Sequence, residues 1–528
     1  MNKFDFTQVS SFIAPPFTSF TAGVINERSD VAFEGFLSPE LPPFAIFYAN
    51  NYQDDVSTGT FIDNSEAFLT TGEFKPVFEP SINDLGQAAF IQSETSLLTD
   101  ENGAPVLDEN GEPIIQFDRI TIQVGDGEQE PVVVLESTDA FNAFAGVNLN
   151  NRGTISYAAG NFLNVPVDFP VTSGIYTLSD GETTEIASTD GIFSSFDVSL
   201  DVLGGDGPIT SLDISPALNE HDEVAFNAGL DAGGQGIFVG DGETITEVAN
   251  SEGEFDLFSY PDLNDEGTTA FLVQRDDGTR GIYTNSYGET ELLVDDSGKF
   301  DFFSSETALN NNGEVAFYAE LDDGSAGIYV ASELGITRVA SVGDEIAGST
   351  VGEITFVQEA FNDLGQVAVQ ARLEDGTFAI FRADPISNPT RKHDRLYGDS
   401  GNNHIDGKGG KDLIVGGLGN DTLLGGRGKD ILRGGEGDDI LKGGKGHDTL
   451  VGGADADIFK ITSGRGEDLI LDYVNGVDKL SLYGDVQFSH LNISQQDDNT
   501  EISLSSTGEV LASLYEVDAS VISPSDFV

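Results

Sequence analysis

The sequence predicts an all-β protein: an N-terminal β-propeller-like repeat domain, then a parallel β-roll of nine-residue repeats and a C-terminal β cap. Two tandem repeats of different period support this prediction, one recurring every 45 to 69 residues and one every nine. Short alternating or apolar segments between turn residues form the third observation, because they indicate strands. No segment has the apolar spacing of an amphipathic helix.

The longer repeat occupies residues 1–385, and the phrase NxxGxxAF is its most regular part. Seven copies begin at Asn26, Asn83, Asn150, Asn219, Asn264, Asn310 and Asn362. A Gly-aliphatic-aromatic triplet follows several copies, beginning at Gly174, Gly236, Gly281 and Gly327, and its last version begins at Ala379. Turn residues divide each copy into about four short strands, which is the content of one propeller blade.

Seven copies predict a closed ring of seven blades. The last copy ends after its third strand, at Phe381, while the segment from Phe4 to Val9 precedes the first copy. We therefore expect that segment to supply the missing outer strand of the last blade. A β-solenoid and an array of β-sandwiches are the alternatives that the repeat leaves open.

The Asn of each phrase has two interpretations. Asn followed by Gly three residues later favours a tight turn in which the side chain bonds its own backbone. Alternatively, acidic neighbours such as Asp262, Asp265 and Asp84, together with Asn264, bind cations at the blade loops. The first interpretation is the one we favour.

The shorter repeat runs from Gly398 to Lys460 and follows the pattern GGxGxDxUx, where U is a large apolar residue. Its sixth position is occupied by Asn403, Asp412, Asp421, Asp430, Asp439, Asp448 and Asp457, and its eighth by Ile405, Ile414, Leu423, Leu432, Leu441, Leu450 and Phe459. Glycine permits a sharp turn, and the last three positions suffice for one short strand. This regularity predicts a solenoid rather than a flexible linker.

Two nonamers make one coil, so units n and n+2 lie on the same side at a strand spacing of about 4.8 Å. Their sixth-position carboxylates would form a column and repel each other by about 3 kcal/mol per pair at an effective dielectric constant of about 20. A hard cation that takes several oxygen ligands, such as Ca²⁺, would relieve this repulsion. Seven units give about five same-side pairs, and hence about five calcium ions.

The candidate ligands are the sixth-position residues and the turn glycines. They are Asn403, Asp412, Asp421, Asp430, Asp439, Asp448, Asp457, Gly398, Gly407, Gly409, Gly416, Gly425, Gly434 and Gly443.

The nonapeptide closely resembles the calcium-binding repeat of RTX (hemolysin-type) proteins. Residues 461–528, with strand-like segments separated by turns, resemble the cap and the type I secretion region of that family. Residues 386–397, which include the proline-bearing segment PISNPT in part, are expected to be a linker. The N-terminal repeat resembles bacterial tandem-repeat proteins marked by NxxGxxAF, which implies no reaction. The RTX resemblance implies a secreted, extracellular, calcium-binding protein.

Composition restricts the partners. The net charge of −67 disfavours nucleic acid and anionic lipid surfaces and favours divalent cations. The chain has no cysteine, which excludes thiol catalysis, and no run of 18 apolar residues, so no membrane-spanning helix is expected. The first residues, MNKFDFTQVSSFIAPPF, do not have the pattern of a secretory signal peptide.

No catalytic residue is predicted, because the metalloprotease pattern HExxH and the lipase pattern GxSxG are both absent. The sequence therefore favours a secreted calcium-binding protein that is not an enzyme. Its roll would fold on extracellular calcium, and its propeller would bind a cell surface, a glycan or a protein. A calcium-dependent hydrolase with its site on the propeller face is the alternative.

Overall fold

The computed structural model describes 22 segments of the chain, and the statements on structure below concern these residues. They are 4–11, 19–20, 24–26, 31–36, 45–49, 60–61, 77–83, 85, 87–97, 115–125, 131–137, 143–160, 173–189, 192–196, 216–253, 255–286, 288–332, 335–385, 389–398, 402–463, 466–482 and 486–528.

Within the described segments the secondary structure is almost entirely β-strand. Three single-turn 3-10 helices occur at Phe488–His490, Ala519–Val521 and Pro524–Asp526, and these segments contain no α-helix. No helix in them is long and apolar enough to cross a membrane. The predicted all-β class is confirmed. The described chain forms two compact units, within each of which the Cα atoms lie close together. One consists mainly of residues 6–384 and the other mainly of residues 385–528.

The first unit contains seven antiparallel sheets, and strands are numbered in chain order. β1 is Phe4–Ser11. The first sheet contains β2 Ser19–Phe20, β3 Val24–Ile25, β4 Val31–Phe36, β5 Ala45–Ala49 and β6 Thr60–Phe61. The second contains β7 Val77–Ile82, β8 Ala88–Leu97, β9 Ile115–Gly125 and β10 Val132–Glu136. The third contains β11 Ala143–Leu149, β12 Ile155–Gly160, β13 Ser173–Ser179 and β14 Glu182–Ser188.

The other four sheets follow in the same order. The fourth contains β15 Phe193–Ser195, β16 Ala217–Leu218, β17 Val224–Leu230, β18 Gln235–Gly240 and β19 Ile245–Asn250. The fifth contains β20 Phe255–Phe258, β21 Asp262–Leu263, β22 Thr269–Arg275, β23 Arg280–Ser286 and β24 Glu289–Asp295. The sixth contains β25 Phe300–Leu309, β26 Val315–Leu321, β27 Ala326–Ser332 and β28 Gly335–Ser341, and the seventh β29 Glu345–Ile346, β30 Ser349–Thr355, β31 Val367–Leu373 and β32 Phe378–Pro385.

The seventh sheet is completed by the beginning of the chain. Its strand order is β1-β32-β31-β30-β29, so β1 lies at the edge of a sheet whose other strands come from residues 345–385. This is the arrangement predicted from the unfinished seventh copy. One sheet per copy, with the first strand in the last sheet, is the organisation of a propeller-like repeat domain, and the predicted fold class of this region is confirmed.

The two repeated phrases meet as neighbouring strands. In the sixth sheet, Phe317 of the phrase NNNGEVAF is directly opposite Tyr329 of the Gly-Ile-Tyr triplet, and their ring centroids are 5.7 Å apart. The corresponding pair in the fourth sheet is Phe226 and Phe238, 5.8 Å apart. Cross-strand aromatic pairs stabilise sheets, which explains why both phrases contain an aromatic residue.

Neighbouring sheets pack face to face through these apolar side chains. The triplet isoleucine of the fifth sheet, Ile282, is fully buried in a cluster with Phe300, Phe303 and Phe317 of the sixth sheet. The aromatic run that precedes the sixth phrase thus fills the space between the fifth and sixth sheets. The core of the first unit is therefore a series of interfaces between consecutive copies.

A ring of hydrogen bonds links the seven motif asparagines. In each copy the side-chain Nδ2 donates to the backbone carbonyl of the Asn in the next copy, at 2.8–3.2 Å. The series closes because Asn362 Nδ2 donates to Asn26 O at 2.8 Å. All seven asparagines are buried. A chain of seven bonds that returns to its first member requires a cyclic arrangement of seven copies.

The same side chains also form the turn that the sequence predicted. Asn264 Oδ1, for example, accepts hydrogen bonds from the backbone N–H groups of Glu266 and Thr268, at 3.1 and 2.9 Å. In the copies whose turn is described, the Asn stabilises its own turn with its oxygen and the neighbouring copy with its nitrogen.

Two of the acidic neighbours considered above as cation ligands, Asp262 and Asp265, accept hydrogen bonds within the protein. Asp262 accepts hydrogen bonds from the backbone N–H groups of Leu263 and Leu309, at 2.9 and 2.6 Å, and burial raises its pKa to about 6. Asp265 accepts from the backbone N–H of Glu220 and from Asn311 Nδ2, both at 2.7 Å. Asp84 lies outside the described residues. The bonds to Leu309, Glu220 and Asn311 join these two carboxylates to neighbouring copies.

The second unit is a parallel β-roll whose strands alternate between two sheets. One sheet contains β33 Arg395–Tyr397, β35 Leu413–Leu418, β37 Ile431–Glu436, β39 Thr449–Ala454 and β41 Asp468–Ile470. The other contains β34 His404–Asp406, β36 Thr422–Arg427, β38 Ile440–Lys445, β40 Ile458–Ile461 and β42 Lys479–Leu482. Strand partners are 18 residues apart in the repeat, as in Leu432 and Leu450, which confirms the predicted pairing of units n and n+2.

The roll has strands outside residues 398–460 on both sides. β33 lies within residues 386–397, and β41 and β42 lie within residues 461–528. The eighth-position side chains form one apolar core between the two sheets, and Leu396, Ile470 and Leu480 extend that core beyond the nonamers. The cap consists of β43 Leu491–Gln496, β44 Asn499–Leu504 and β45 Val510–Leu514, and β45 pairs with β41 in parallel.

Substitution of one ring asparagine should destabilise the first unit. Asn264→Ala removes the donor to Asn310 O and the acceptor of two backbone N–H groups, which leaves buried polar groups unsatisfied. We expect a decrease of about 3 kcal/mol in the free energy of unfolding. The measurement is denaturant unfolding of the full chain at saturating calcium.

The control is Asn250→Ala, at the end of β19. There the side-chain amide donates to Glu247 and accepts the N–H of Glu252, and both hydrogen bonds are exposed. It should lower the free energy of unfolding by less than about 1 kcal/mol. An equal effect of the two substitutions would show that the ring contributes no more than a surface turn.

Candidate metal centre

The sixth-position residues of the nonamers form two columns, one on each side of the roll. The backbone N–H of each residue donates to Oδ1 of the Asp two units later. The bonds join Asn403 to Asp421, Asp412 to Asp430, Asp421 to Asp439, Asp430 to Asp448 and Asp439 to Asp457, at 2.6–3.0 Å. These are the five same-side pairs that the spacing predicted.

The second carboxylate oxygen is buried without a hydrogen-bond partner. Oδ2 lacks one in Asp412, Asp430, Asp439, Asp448 and Asp457, and these residues are at most 1% exposed. Buried polar atoms in folded proteins are normally paired, and carboxylates most of all. A row of orphaned anionic oxygens in the part of the chain that the structure describes therefore fits a bound cation.

The first glycine of each unit leaves room for the carboxylate of the same unit. A Cβ on Gly425 would lie 2.6 Å from Asp430 Oδ2, and one on Gly407 would lie 2.7 Å from Asp412 Oδ2. Gly416, Gly434 and Gly443 are placed in the same way beside their own Asp, and Gly398 beside Asn403. Gly409 differs, since the nearest atoms to its Cβ position belong to Arg427. It occupies the third position of its unit, away from the carboxylate.

Backbone carbonyls face the same gaps between loops. Gly428, at φ +146°, lies so close to the carbonyl oxygen of Gly410 that any Cβ would collide with it. No three His, Asp or Glu side chains converge on one point within the described residues. A metal in these gaps would therefore take its ligands from carboxylates and backbone carbonyls together. That donor set is all oxygen, which suits Ca²⁺ rather than Zn²⁺ or copper.

Burial shifts the acid–base behaviour of the columns. Desolvation, reinforced by the neighbouring carboxylates of each column, raises the pKa of Asp430, Asp439 and Asp457 to about 7. Desolvation raises the pKa of Asp412 to about 6 and also raises that of Asp448. Each carboxyl resists ionisation because a further negative charge in the column has no counterion.

The columns continue beyond the repeat through residues that the nonamer pattern did not include. Asp394 N–H donates to Asp412, Asp448 N–H to Asp468, and Asp457 N–H to Asp478, at 3.0, 3.3 and 3.0 Å. Sequence reasoning missed these three carboxylates because their turns lack the glycine pattern or are offset by insertions. A large apolar residue two positions after each Asp, at Leu396, Ile470 and Leu480, was the signal that could have found them.

The repeat family is identified by comparison with known families. The model described as the RTX calcium-binding nonapeptide repeat (4 copies) matches residues 390–423 and 424–459. Residues 390–459 are RTX calcium-binding repeats. Residues 97–296 match a second model, described as a family of unknown function (DUF7453). The RTX match and the orphaned column oxygens agree on calcium as the ligand of the roll.

No curated protein matches the chain. Among solved structures, an oligogalacturonate lyase from Vibrio parahaemolyticus is 12% identical, with a TM-score of 0.43 over 72% of this chain and 97% of the other. An acylaminoacyl peptidase from Pyrococcus horikoshii is 12% identical, with a TM-score of 0.39 over 74% of this chain and about half (53%) of the peptidase. A subunit of the Azotobacter vinelandii mannuronan C5-epimerase is 25% identical, with a TM-score of 0.19 over 28% and 85%. With TM-scores below 0.5, these likenesses assign no activity.

Calcium binding by the columns should weaken as the pH falls. The folded-state pKa values of Asp430, Asp439 and Asp457 lie above the ordinary value, so the folded roll without metal binds more protons than the unfolded chain. Ionisation above about pH 7 therefore destabilises the roll without metal, and calcium must displace protons below that pH. The roll without metal should therefore gain stability as the pH falls from about 7 towards about 4, and the increase in strand signal on adding calcium should shrink over the same range.

Circular dichroism during calcium titrations at several pH values measures this dependence. Strand signal in excess chelator should increase as the pH falls towards about 5, since protonation replaces the cation. A strand signal in excess chelator that is the same at pH 8 and at pH 5 would contradict the assignment of the raised pKa values to the columns.

Proposed function

We propose that the protein is a secreted calcium-binding protein whose roll folds only when calcium fills the two columns. The observation that carries this proposal is the set of buried Oδ2 atoms without hydrogen-bond partners in Asp412, Asp430, Asp439, Asp448 and Asp457. The experiment that tests it is a calcium titration of folding.

Repulsion within each column supports calcium-dependent folding. Two carboxylates separated by the spacing of parallel strands, about 4.8 Å, repel by about 3 kcal/mol at an effective dielectric constant of about 20. Several such pairs amount to as much free energy as stabilises an ordinary domain. The roll with ionised columns is therefore unfolded without a cation, and calcium supplies the missing attraction.

We propose about five calcium ions between Asn403 and Asp457, one for each same-side pair of nonamers. Affinities of roughly 10⁻⁴ to 10⁻³ M are typical of extracellular calcium modules. At such affinities the roll would be unfolded at cytosolic calcium and folded outside the cell. Residues 461–528 would direct type I secretion of the chain while the roll is unfolded.

The first unit would then act as a binding domain at the cell exterior. The acidic residues of its blade loops that sequence reasoning considered as ligands, Asp262 and Asp265, are engaged with backbone N–H groups and Asn311. We propose that this domain presents its surface to a cell-surface, glycan or protein partner.

Asp430→Ala should raise the calcium midpoint of folding. The substitution removes a carboxylate from the middle of one column and the acceptor of the Asp412 N–H. We expect a shift of roughly tenfold, equivalent to about 1.4 kcal/mol, with lower cooperativity. The measurement is circular dichroism of the full chain during a calcium titration.

Lys429→Ala is the matched control, because Lys429 is the exposed neighbour of Asp430 and lies outside the column. It should leave the midpoint unchanged. Complete strand signal from the roll in excess chelator at neutral pH would disprove calcium-dependent folding. One calcium midpoint for the parent and both variants would reject the role of Asp430 as a ligand.

Export and surface binding can be separated by fractionating cultures that express three forms of the chain. The full chain should be found outside the cell and bound to the cell surface. Removal of residues 470–528 should retain the protein inside the cell, because the proposed secretion region is lost. Removal of residues 1–385 should leave secretion intact but release the protein into the medium, because the proposed binding domain is lost.

The experiment can reject the type I secretion route and the binding role of the first unit independently. Secretion of the form without residues 470–528 would reject the type I route. Equal surface binding with and without residues 1–385 would reject the role of the first unit. Quantitative immunoblots of the cell, surface and medium fractions give both results.

A further inference from the structure

Asp468 continues one of the two Asp columns beyond the last nonamer. Its carboxylate accepts the Asp448 N–H at 3.3 Å, and its side chain is buried. The strand that follows it remains in register, because Thr449 pairs with Leu469 and the Leu469 N–H donates to Asp448 O at 2.8 Å. The offset is 20 residues rather than 18, so two extra residues are accommodated before the turn.

The backbone of this turn also repeats the geometry of the nonamers. Gly466 has φ +131°, close to +145° at Gly446 and +146° at Gly428. A Cβ on Gly466 would collide with the carbonyl oxygen of Gly446, just as one on Gly446 would collide with that of Gly428. The carbonyl of Gly446 therefore faces the gap between the loops of Asp448 and Asp468, as the carbonyl of Gly428 does one loop earlier.

The carboxylates of Asp448 and Asp468 resemble those that fit calcium within the repeat. Asp448 is about 1% exposed and its Oδ2 has no hydrogen-bond partner. Burial, together with the adjacent Asp448 carboxyl, raises the pKa of Asp468 to about 8. Two buried carboxyl groups in contact need either a shared proton or a cation.

The other column ends differently. Asp478 follows Asp457 in that column, and both of its oxygens accept backbone N–H groups, Oδ1 from Asp457 at 3.0 Å and Oδ2 from Val474 at 2.7 Å. No atom lies within 4 Å of a Cβ built on Gly476, so its turn does not stack on the preceding loop. The protein itself thus satisfies this carboxylate.

We propose that a calcium ion binds between Gly446–Asp448 and Gly466–Asp468, one site beyond the RTX repeat, and that the other column closes at Asp478 without one. This inference rests on the proposed calcium binding by the columns. The ligands are the Asp448 and Asp468 carboxylates with facing backbone carbonyls, which is the donor set of the inner sites.

The additional site ties the C-terminal cap to calcium. β41, which begins at Asp468, pairs on one side with β39 of the repeat and on the other with β45 of the cap. In that pairing Asp468 is opposite Ala512, and Ile470 is opposite Leu514. Calcium at Asp468 therefore fixes the strand on which the cap assembles.

The test compares Asp468→Asn with the matched substitution Asp478→Asn in the full chain. Isothermal titration calorimetry and equilibrium dialysis with calcium alone give the number of ions bound. Asp468→Asn should bind one ion fewer than the parent, whereas Asp478→Asn should bind the parent number. An unchanged number for Asp468→Asn, or the loss of one ion by both variants, would overturn the proposal.

Hydrogen exchange on the parent chain keeps the test decisive if Asp468→Asn fails to fold. Amides of residues 510–514 should gain protection over the same calcium range as those of residues 449–454. Protection of residues 510–514 in excess chelator, with residues 449–454 still dependent on calcium, would overturn this inference alone. Protection of both segments in chelator would instead overturn the proposed function.

Discussion

Repulsion between buried carboxylates is the constraint on which the second unit depends. The nine-residue period places Asp430 and its counterparts on the inside of tight loops, and the parallel pairing stacks those loops at strand spacing. In Asp430 and Asp448, for example, Oδ1 accepts the N–H of the Asp two units earlier and Oδ2 has no hydrogen-bond partner. The apolar core beneath, from Ile414 to Phe459, is continuous but only one side chain deep per unit. Burial of such a thin core supplies little free energy to offset the repulsion between ionised carboxylates in the columns.

In the first unit, hydrogen bonds between uncharged groups close the ring of copies. Asn264, for example, uses its oxygen within its own turn and its nitrogen toward the next copy. The side-chain amide is well suited to this, because it provides an acceptor and two donors in one planar group. The two units thus contrast in what completes them: the ring satisfies its polar groups internally, whereas the columns leave theirs to a ligand.

Much of this organisation followed from the sequence, and the exceptions have physical causes. The periods predicted the seven sheets, the edge position of the first strand and the n, n+2 pairing, because period and strand content are local properties. The turn of each Asn was predicted, because it depends on neighbours within four residues. The hydrogen bonds that form the Asn ring were not predicted, because their acceptors lie in other copies, 45 and 69 residues away in two of them. Asp468 and Asp478 were missed because short insertions shift them out of the nine-residue frame, although their apolar partners Ile470 and Leu480 remain in the core.

The column hydrogen bonds have a direction along the chain. In every pair the earlier residue donates its N–H and the later Asp supplies the oxygen, from Asp394 with Asp412 to Asp457 with Asp478. The N–H groups of each column are therefore satisfied by carboxylates that come later in the chain. A chain that is synthesised from its N-terminus always ends in a coil whose column N–H group still lacks its acceptor.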